Sequence, residues 1–339
     1  MSETRTFKAA ELENLIVRAM LASDTSEDNA RAVSAALIRA EIDGQKGHGF
    51  SRVPSYSAQA RSGKVNGRAA PEAFKSKPGA LMVDAGHGFF YPAFNLVLEM
   101  LPDMARRNGI AAAAIRRSHH AGVMGWHVER LADEGLVSII VANTPKGMPP
   151  WGGKKPVFGT NPIAFGAPRR DGFPVIVDLA LTTVARGNIM TAAQAGKPIP
   201  EGWATDADGN PTTDAKKGLE GMLMPAGGAK GYALALMVEL LAGPLGGAAL
   251  SAEATSFFTP DGGPPGVGQT VIAIDPAAFA GSDAFLDRVE DVLASIETQE
   301  GARVPGGRLP ELRARADSEG LTVPSPLVKE VEDIITGGA

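Results

Sequence analysis

"GLVSIIVAN" (residues 135–143) and "FPVIVDLA" (residues 173–180) are short, β-branched and bounded by glycine or proline, so both read as buried strands. Between them runs "TPKGMPPWGGKKPVFGTNPIAFGAPRRDG" (144–172), where turn formers recur every few residues. Such a stretch predicts a folded loop or a set of very short strands. No G-x-G-x-x-G follows a strand anywhere in the chain, so these strands give no support to a doubly wound dinucleotide fold.

Outward from this segment the pattern becomes helical. "TSEDNARAVSAALIRAEID" (25–43) opens on the candidate caps Thr25 and Ser26, sets Ala30, Val33, Leu37 and Ala40 on one face, and stops at Gly44. Two more helices are predicted, one from about Pro92 to Arg107, stopped by Asn108-Gly109, and one from about Met124 to Glu134, stopped by Gly135. "GGAKGYALALMVELLAG" (227–243) is glycine-rich and then helical, "TVIAIDP" (270–276) is a further strand, and the chain is mostly helical from about Ser282. The expectation is a mixed α/β (α+β) chain. Residues 121–275 would form a ligand-binding domain with a largely antiparallel sheet, and residues 1–120 with 276–339 a discontinuous, mostly helical outer domain.

The 339 residues are 44% apolar and 21% charged with a formal net charge of −5, a globular composition with no general attraction for nucleic acid or an anionic membrane. A local basic pocket for a small anion stays compatible with that balance. Cysteine is absent, which excludes disulfides, thiolate metal sites and cysteine nucleophiles. The N-terminal "MSETRTFKAAELENLIVRAM" has no uninterrupted apolar core, and no run approaches the ~18 apolar residues of a membrane span, so a cytoplasmic protein is expected.

P-loop, zincin and α/β-hydrolase signatures are also missing, and four polar clusters remain. In "KGHGFSRVPSY" (46–56), His48, Arg52 and Tyr56 would share a face if the segment is helical. Imidazole beside guanidinium suits a carboxylated substrate; the alternative is a capped turn with a surface arginine. "RRSHHAGVMGWH" (116–127) has no metal-ligand spacing, but its glycine turn into a helix leaves N–H groups for a phosphate. His119 and His127 are expected to be exposed loop residues. "GTNP" (159–162) puts a hydroxyl in a rigid turn, and Lys230 at a helix start is better explained by a bound anion than by helix stability.

In this order, "GHGFSRVPSY", "SHHAG", "PPWGGKKPVFGTNPIAFGAPR", "VDLALTTVARGNI", "IPEGWATDADGNPT", "GGAKGYALAL" and "VPGGR" resemble the malate/L-lactate dehydrogenase family that is unrelated to Rossmann-type enzymes. The resemblance spans nearly the whole chain. It implies a nicotinamide-binding domain of the family's own design, NAD(P)H-dependent hydride transfer to the carbon beside a carboxylate, no metal, and a homodimer. It also implies His48 as proton donor, Arg52 as carboxylate clamp and Thr160 as a substrate contact. His120, Ala121, Gly122, Val123, Met124, Thr144, Asp178, Leu179, Ala180, Arg186, Asn188, Lys230 and Gly231 would line the cofactor. Arg303 and the stretch holding Gly307, Arg308 and Arg313 would close over it.

Within the family, residues 149–169 look most like the Δ1-piperideine-2-carboxylate/Δ1-pyrroline-2-carboxylate reductases, which favour NADPH; NADH is the other cofactor to expect. Two positions depart from that branch. Gly47 stands where many relatives have serine, and Asn188 where the imine reductases tend to carry aspartate. An Asn cannot stabilise an imidazolium by charge, so the His48 pKa should be lower and the ring less often protonated to donate, which a protonated imine tolerates better than a ketone. The alternatives are a 2-oxo acid reductase of malate, lactate or ureidoglycolate type, and a family member that binds cofactor with impaired catalysis.

Overall fold

The computed structural model describes residues 3–337. Strand β1 (Thr4–Phe7) leads into α1 (Ala9–Leu21), which buries Leu12, Ile16, Ala19 and Met20 at helical spacing, and α2 (Glu27–Ile42) follows. The segment carrying His48 is two successive 3₁₀ turns, Lys46–His48 and Phe50–Arg52, and only then α3 (Val53–Arg61). The sheet begins with the hairpin β2 (Glu72–Lys77) and β3 (Ala80–Asp84); α4 (Phe90–Asn108) crosses over to β4 (Ile110–Ser118), and α5 (Met124–Asp133) leads to β5 (Val137–Ala142). The turn-rich stretch contains β6 (Ile163–Ala167), followed by β7 (Val175–Leu179).

Beyond β7 lie α6 (Arg186–Gln194), the short β8 (Ala204–Thr205) and β9 (Pro211–Thr212), α7 (Ala215–Glu220) and α8 (Ala229–Ala242). The chain then returns to the sheet as β10 (Val267–Ile274) and ends in α9 (Ser282–Glu297), α10 (Leu309–Glu319), β11 (Leu321–Pro324) and α11 (Ser325–Thr336). β11 pairs antiparallel with β1, tying the C-terminal part to the start of the chain.

The seven-stranded sheet has the order β2-β3-β4-β10-β5-β6-β7, and every pairing is antiparallel except β3 with β4. The parallel pair is the one whose connection is a whole helix, as parallel geometry requires. β10 is buried along almost its whole length because it has strands on both sides and helices over it, so its burial is near-continuous rather than alternating, and its two polar side chains, Gln269 and Thr270, donate to the backbone oxygens of His119 and Leu241.

One sheet spans the expected boundary at residue 120. β4 pairs with β10 from Ile110 to Ser118, and one apolar core joins Leu12, Phe94 and Leu101 from one side of that boundary to Val128, Ile140 and Val271 from the other. The cause is the "IAAAAIRRS" run of β4: small side chains let α4 lie close against the sheet, and a strand buried between neighbours cannot be a domain edge. A second core packs β5 and the turn-rich loop against α8 through Met148, Phe158 and Val238, and a third holds α6 and α7 around Ile189 and Ile199.

Candidate active site

His48 is presented by a turn that the neighbouring glycines make possible. A Cβ on Gly49 would lie 2.3 Å from Glu41 Oε2 and about as close to the α2 backbone as van der Waals contact forbids, so only glycine lets the chain pass there. The Glu41 carboxylate in turn accepts the Phe50 N–H at 3.0 Å and fixes the turn, while burial raises its pKa. A Cβ on Gly47 would meet nothing within 4 Å, so the missing serine hydroxyl leaves open space rather than a filled one. His48 Nδ1 is buried without a hydrogen-bond partner, so no described side chain orients the ring by that nitrogen. Instead the ring stacks on His120, with centroids 5.1 Å apart and planes 16° from parallel.

Arg52 sits at the start of α3 and donates from Nε to Gly47 O at 2.7 Å. Its guanidinium lies 4.6 Å from the centroid of Phe258. That leaves the terminal Nη donors for a ligand, the fork that matches a carboxylate. Burial, and then the charge of Arg52, push the His48 pKa down to about 4. The same two causes act on His120, which stays well below the ordinary histidine range. Tyr56, expected to share a face with His48 and Arg52, is fully buried. Its hydroxyl is 2.7 Å from His120 Nδ1 and 3.2 Å from the Tyr91 hydroxyl.

The residues expected around a cofactor form a band joined by specific contacts. Asp178 Oδ2 accepts from Gly125 N at 2.7 Å, which holds the end of β7 against the first turn of α5 beside Gly122, Val123 and Met124. Surrounding protein raises the Asp178 carboxyl, against the pull of the Gly125 and Met124 N–H groups, although the side chain keeps a water-facing side. Past Leu179 and Ala180, Leu181 N donates to Thr160 O at 2.8 Å, and Thr160 N donates to Thr144 Oγ1 at 2.9 Å. Ala226 N donates to Leu181 O, bringing the start of α8 with Lys230 and Gly231 to the same edge; a Cβ on Gly231 would collide with Ala226 O. The loop holding Arg303, Gly307 and Arg308 lies along β7, with Gly306 packed against Ile176. Lys230, Arg303 and Arg308 are exposed, and no ion pair engages them among the described residues.

One expectation needs correction. His119 and His127 are not exposed loop residues. His119 bonds Gln59 Oε1 at 3.1 Å and His127 bonds Ala121 O at 3.0 Å, because the sheet and α4 close over them. At the start of α5 the Gly125 N–H is taken by the Asp178 carboxylate. The Arg313 guanidinium is held by Asp43 at 2.7 Å and Glu129 at 2.6 Å. Arg186 and Asn188 lie on α6, where Arg186 donates to Leu219 O and Asn188 is exposed with no bond to His48.

Sequence reasoning missed three groups. Tyr91, which meets the hydroxyl of Tyr56, and Gln59 are separated in sequence from the histidines they touch, and no local pattern marks them. The third is a buried triad: Glu239 of α8 accepts from Asn161 Nδ2 at 2.9 Å and from Ser251 Oγ at 2.5 Å, so the asparagine of "GTNP" pins the Thr160 turn to α8. Its positive φ of 39° is the one local signal, since asparagine is the non-glycine residue that tolerates that region best. No group of side chains suited to a metal occurs among the described residues, and none of their helices is long and apolar enough to cross a membrane.

The chain is similar to proteins of known activity. The chain matches the model of a family described as malate/L-lactate dehydrogenase over residues 7–332. It is 47% identical, over 97% of both chains, to a (2R)-3-sulfolactate dehydrogenase (NADP(+)) of Chromohalobacter salexigens. It is 43% identical to a Δ1-pyrroline-2-carboxylate/Δ1-piperideine-2-carboxylate reductase of Pseudomonas aeruginosa, over 95% of this chain and 96% of the relative. The crystal structure of Δ1-piperideine-2-carboxylate reductase from Pseudomonas syringae superposes with a TM-score of 0.91 at 36% identity, covering 97% of this chain and 99% of the other. With a match that runs almost end to end, a seven-stranded sheet of the same design and no Rossmann fingerprint, the chain belongs to the malate/L-lactate dehydrogenase family of oxidoreductases.

Proposed function

We propose that the protein is an NADPH-preferring reductase of a cyclic imino carboxylate of the Δ1-pyrroline-2-carboxylate or Δ1-piperideine-2-carboxylate type, giving the L-amino acid. One observation carries the choice. The cations that act on the histidine cluster are Arg52 and Lys64, and all three ammonium protons of Lys64 are used on backbone carbonyls of residues 256, 259 and 261. Arg52 alone has donors to spare, which matches a substrate with a single carboxylate. A second acid group, as in malate or sulfolactate, would be desolvated there without a counter-charge among the described residues.

The acidity of His48 points the same way. A ring whose pKa is near 4 is neutral at pH 7 and a poor proton donor. A ketone needs a proton as negative charge develops on its oxygen, whereas an imine that arrives protonated already carries it. In this reading Arg52 binds the carboxylate and orients C2, the neutral His48 accepts a hydrogen bond from the ring N–H, and the stacked His120 holds that imidazole in place. Hydride adds to C2 of the C=N bond and the nitrogen keeps its proton, so the product is the ring amine. A bound reduced nicotinamide supplies that hydride. Lys230, Arg303 and Arg308 would hold its phosphates, and three unengaged cations in a chain of net charge −5 support a cofactor with a 2′-phosphate.

A 2-oxo or 2-hydroxy acid reaction is the second reading, favoured by the 47% identity to the sulfolactate enzyme. A steady-state screen of both substrate classes with both cofactors separates them. The expected result is a kcat/KM for a cyclic imine with NADPH about tenfold or more above any 2-oxo acid or any NADH combination. Turnover of sulfolactate, oxaloacetate or pyruvate far above the imines would overturn the assignment.

The same reading includes a homodimer in the cytoplasm, a compartment that the lack of cysteine fits. After Lys230, α8 is apolar apart from Tyr232 and the buried Glu239, yet its Leu234, Met237 and Leu240 are 44–54% exposed, and Leu245 in the turn that follows is 61% exposed. A stripe of that size on a helix is more than isolated surface leucines explain. Leu240→Glu should halve the sedimenting mass and leave the fold intact; a wild-type chain that sediments as a monomer would refute this.

A further inference from the structure

We propose that Phe258 determines substrate specificity by lying on Arg52, and that Lys64 positions it there by clamping its loop. The inference rests on Arg52 as the carboxylate site and extends it to the rest of the substrate. Lys64 is 2% exposed, and its ammonium donates to Ser256 O at 2.7 Å, Thr259 O at 2.9 Å and Asp261 O at 2.8 Å. Gln59 Nε2 donates to Phe257 O at 2.9 Å and Ser62 Oγ to Pro260 O at 3.2 Å. From Ser256 to Asp261, Phe258 is therefore the residue whose carbonyl takes no such bond.

The consequence is an unusual placement for a large apolar side chain. Phe257 turns inward, 5 % exposed, with its ring 5.2 Å from both His119 and His120. Phe258 turns outward, 60% exposed, with Arg52 4.6 Å from its centroid. A free loop would fold such a ring onto the surface; here the carbonyls on both sides are held by an interior ammonium, so the ring stays over the guanidinium. It covers one face of Arg52 and leaves the edge bearing the two Nη groups. A carboxylate taken by that edge places the next carbons of the substrate beside an aromatic face. Methylene groups of a small ring fit there, and a second carboxylate does not, because the ring presents its negative face and removes water without offering a donor.

The test compares Δ1-pyrroline-2-carboxylate with oxaloacetate, using NADPH. Phe258→Ala is expected to narrow the ratio of their kcat/KM values by about tenfold, mainly through a higher KM for the imine, with the Kd of NADPH unchanged. Phe258→Tyr, which keeps the aromatic face, should retain the wild-type ratio. Losses equal for both substrates, or no loss for either, would overturn the proposal. Lys64→Met should reproduce the narrowed ratio in a folded protein; a folded variant with a lower Tm and an unchanged ratio would reduce Lys64 to a structural role. Arg52→Ala separates the two readings. If its KM for the imine is unchanged, the carboxylate assignment fails; if KM rises while Phe258→Ala is silent, only the present inference fails.

Discussion

Arg52→Ala should lower kcat/KM for the cyclic imine by about a thousandfold, close to 4 kcal/mol, because two charge-assisted hydrogen bonds to one carboxylate are lost together. The side chain is already oriented by its Nε bond to Gly47 O, so little entropy is left to offset the loss. Arg52→Lys keeps the charge and discards the fork, and should sit about tenfold above the alanine variant. His48→Ala supplies the contrast. Its imidazole is neutral well above pH 4, so an imine should lose about tenfold or less, while any residual turnover of a 2-oxo acid should fall much further. Steady-state kinetics of the three variants at pH 7 checks this. A loss of three orders of magnitude in His48→Ala with the imine would make His48 an obligatory acid.

Below pH 6 the protein should lose several kcal/mol of stability. His48 is held at about 4 and His119 at about 3, and His120 and His127 lie well below the ordinary range, in every case chiefly because burial disfavours the charged ring. The unfolded chain takes up these protons near the ordinary pKa of about 6.5, so the stability they contribute is complete above that pH. It drains away as pH falls from 6.5 toward 4, at up to about 1.4 kcal/mol per pH unit for each ring. Glu41, Asp133 and Asp178 have raised values and act in the opposite sense, gaining as the pH falls, but His87 is also held below the ordinary range, so they are three against five. Thermal unfolding at pH 5 should come about 10 °C below that at pH 7.5. A transition temperature flat across that interval would show that the rings are not buried and neutral.

The local elements were legible because their signals are local. The α2 helix ends at Gly44 with φ of 75°, as its capping pattern requires, and "GLVSIIVAN" and "FPVIVDLA" contain β5 and β7. "KGHGFSRVPSY" differed in kind. Its expected helical face is replaced by two 3₁₀ turns, since Gly49 must pass close to α2, and Tyr56 points into the core rather than along with His48. Arg313 shows what one dimension hides. A cation in a glycine-rich stretch looks free in one dimension, but Asp43 and Glu129 come from two other helices and take its donors.

By itself the sequence determined α2, α4, α5 and α8, the strands β5, β7 and β10, the exclusion of thiol chemistry and, through motifs spread along almost the whole chain, the family and the candidates His48 and Arg52. Those signals survive in one dimension because periodicity, capping and motif order are properties of neighbouring residues. Only the tertiary structure decided that one sheet crosses residue 120, that His119 and His127 are sealed inside, and that Lys64 reaches Ser256, 192 residues away, to set Phe258 on Arg52. Those outcomes depend on which surfaces meet after collapse. Burial, desolvation and the saturation of a donor by distant acceptors have no counterpart in spacing along the chain.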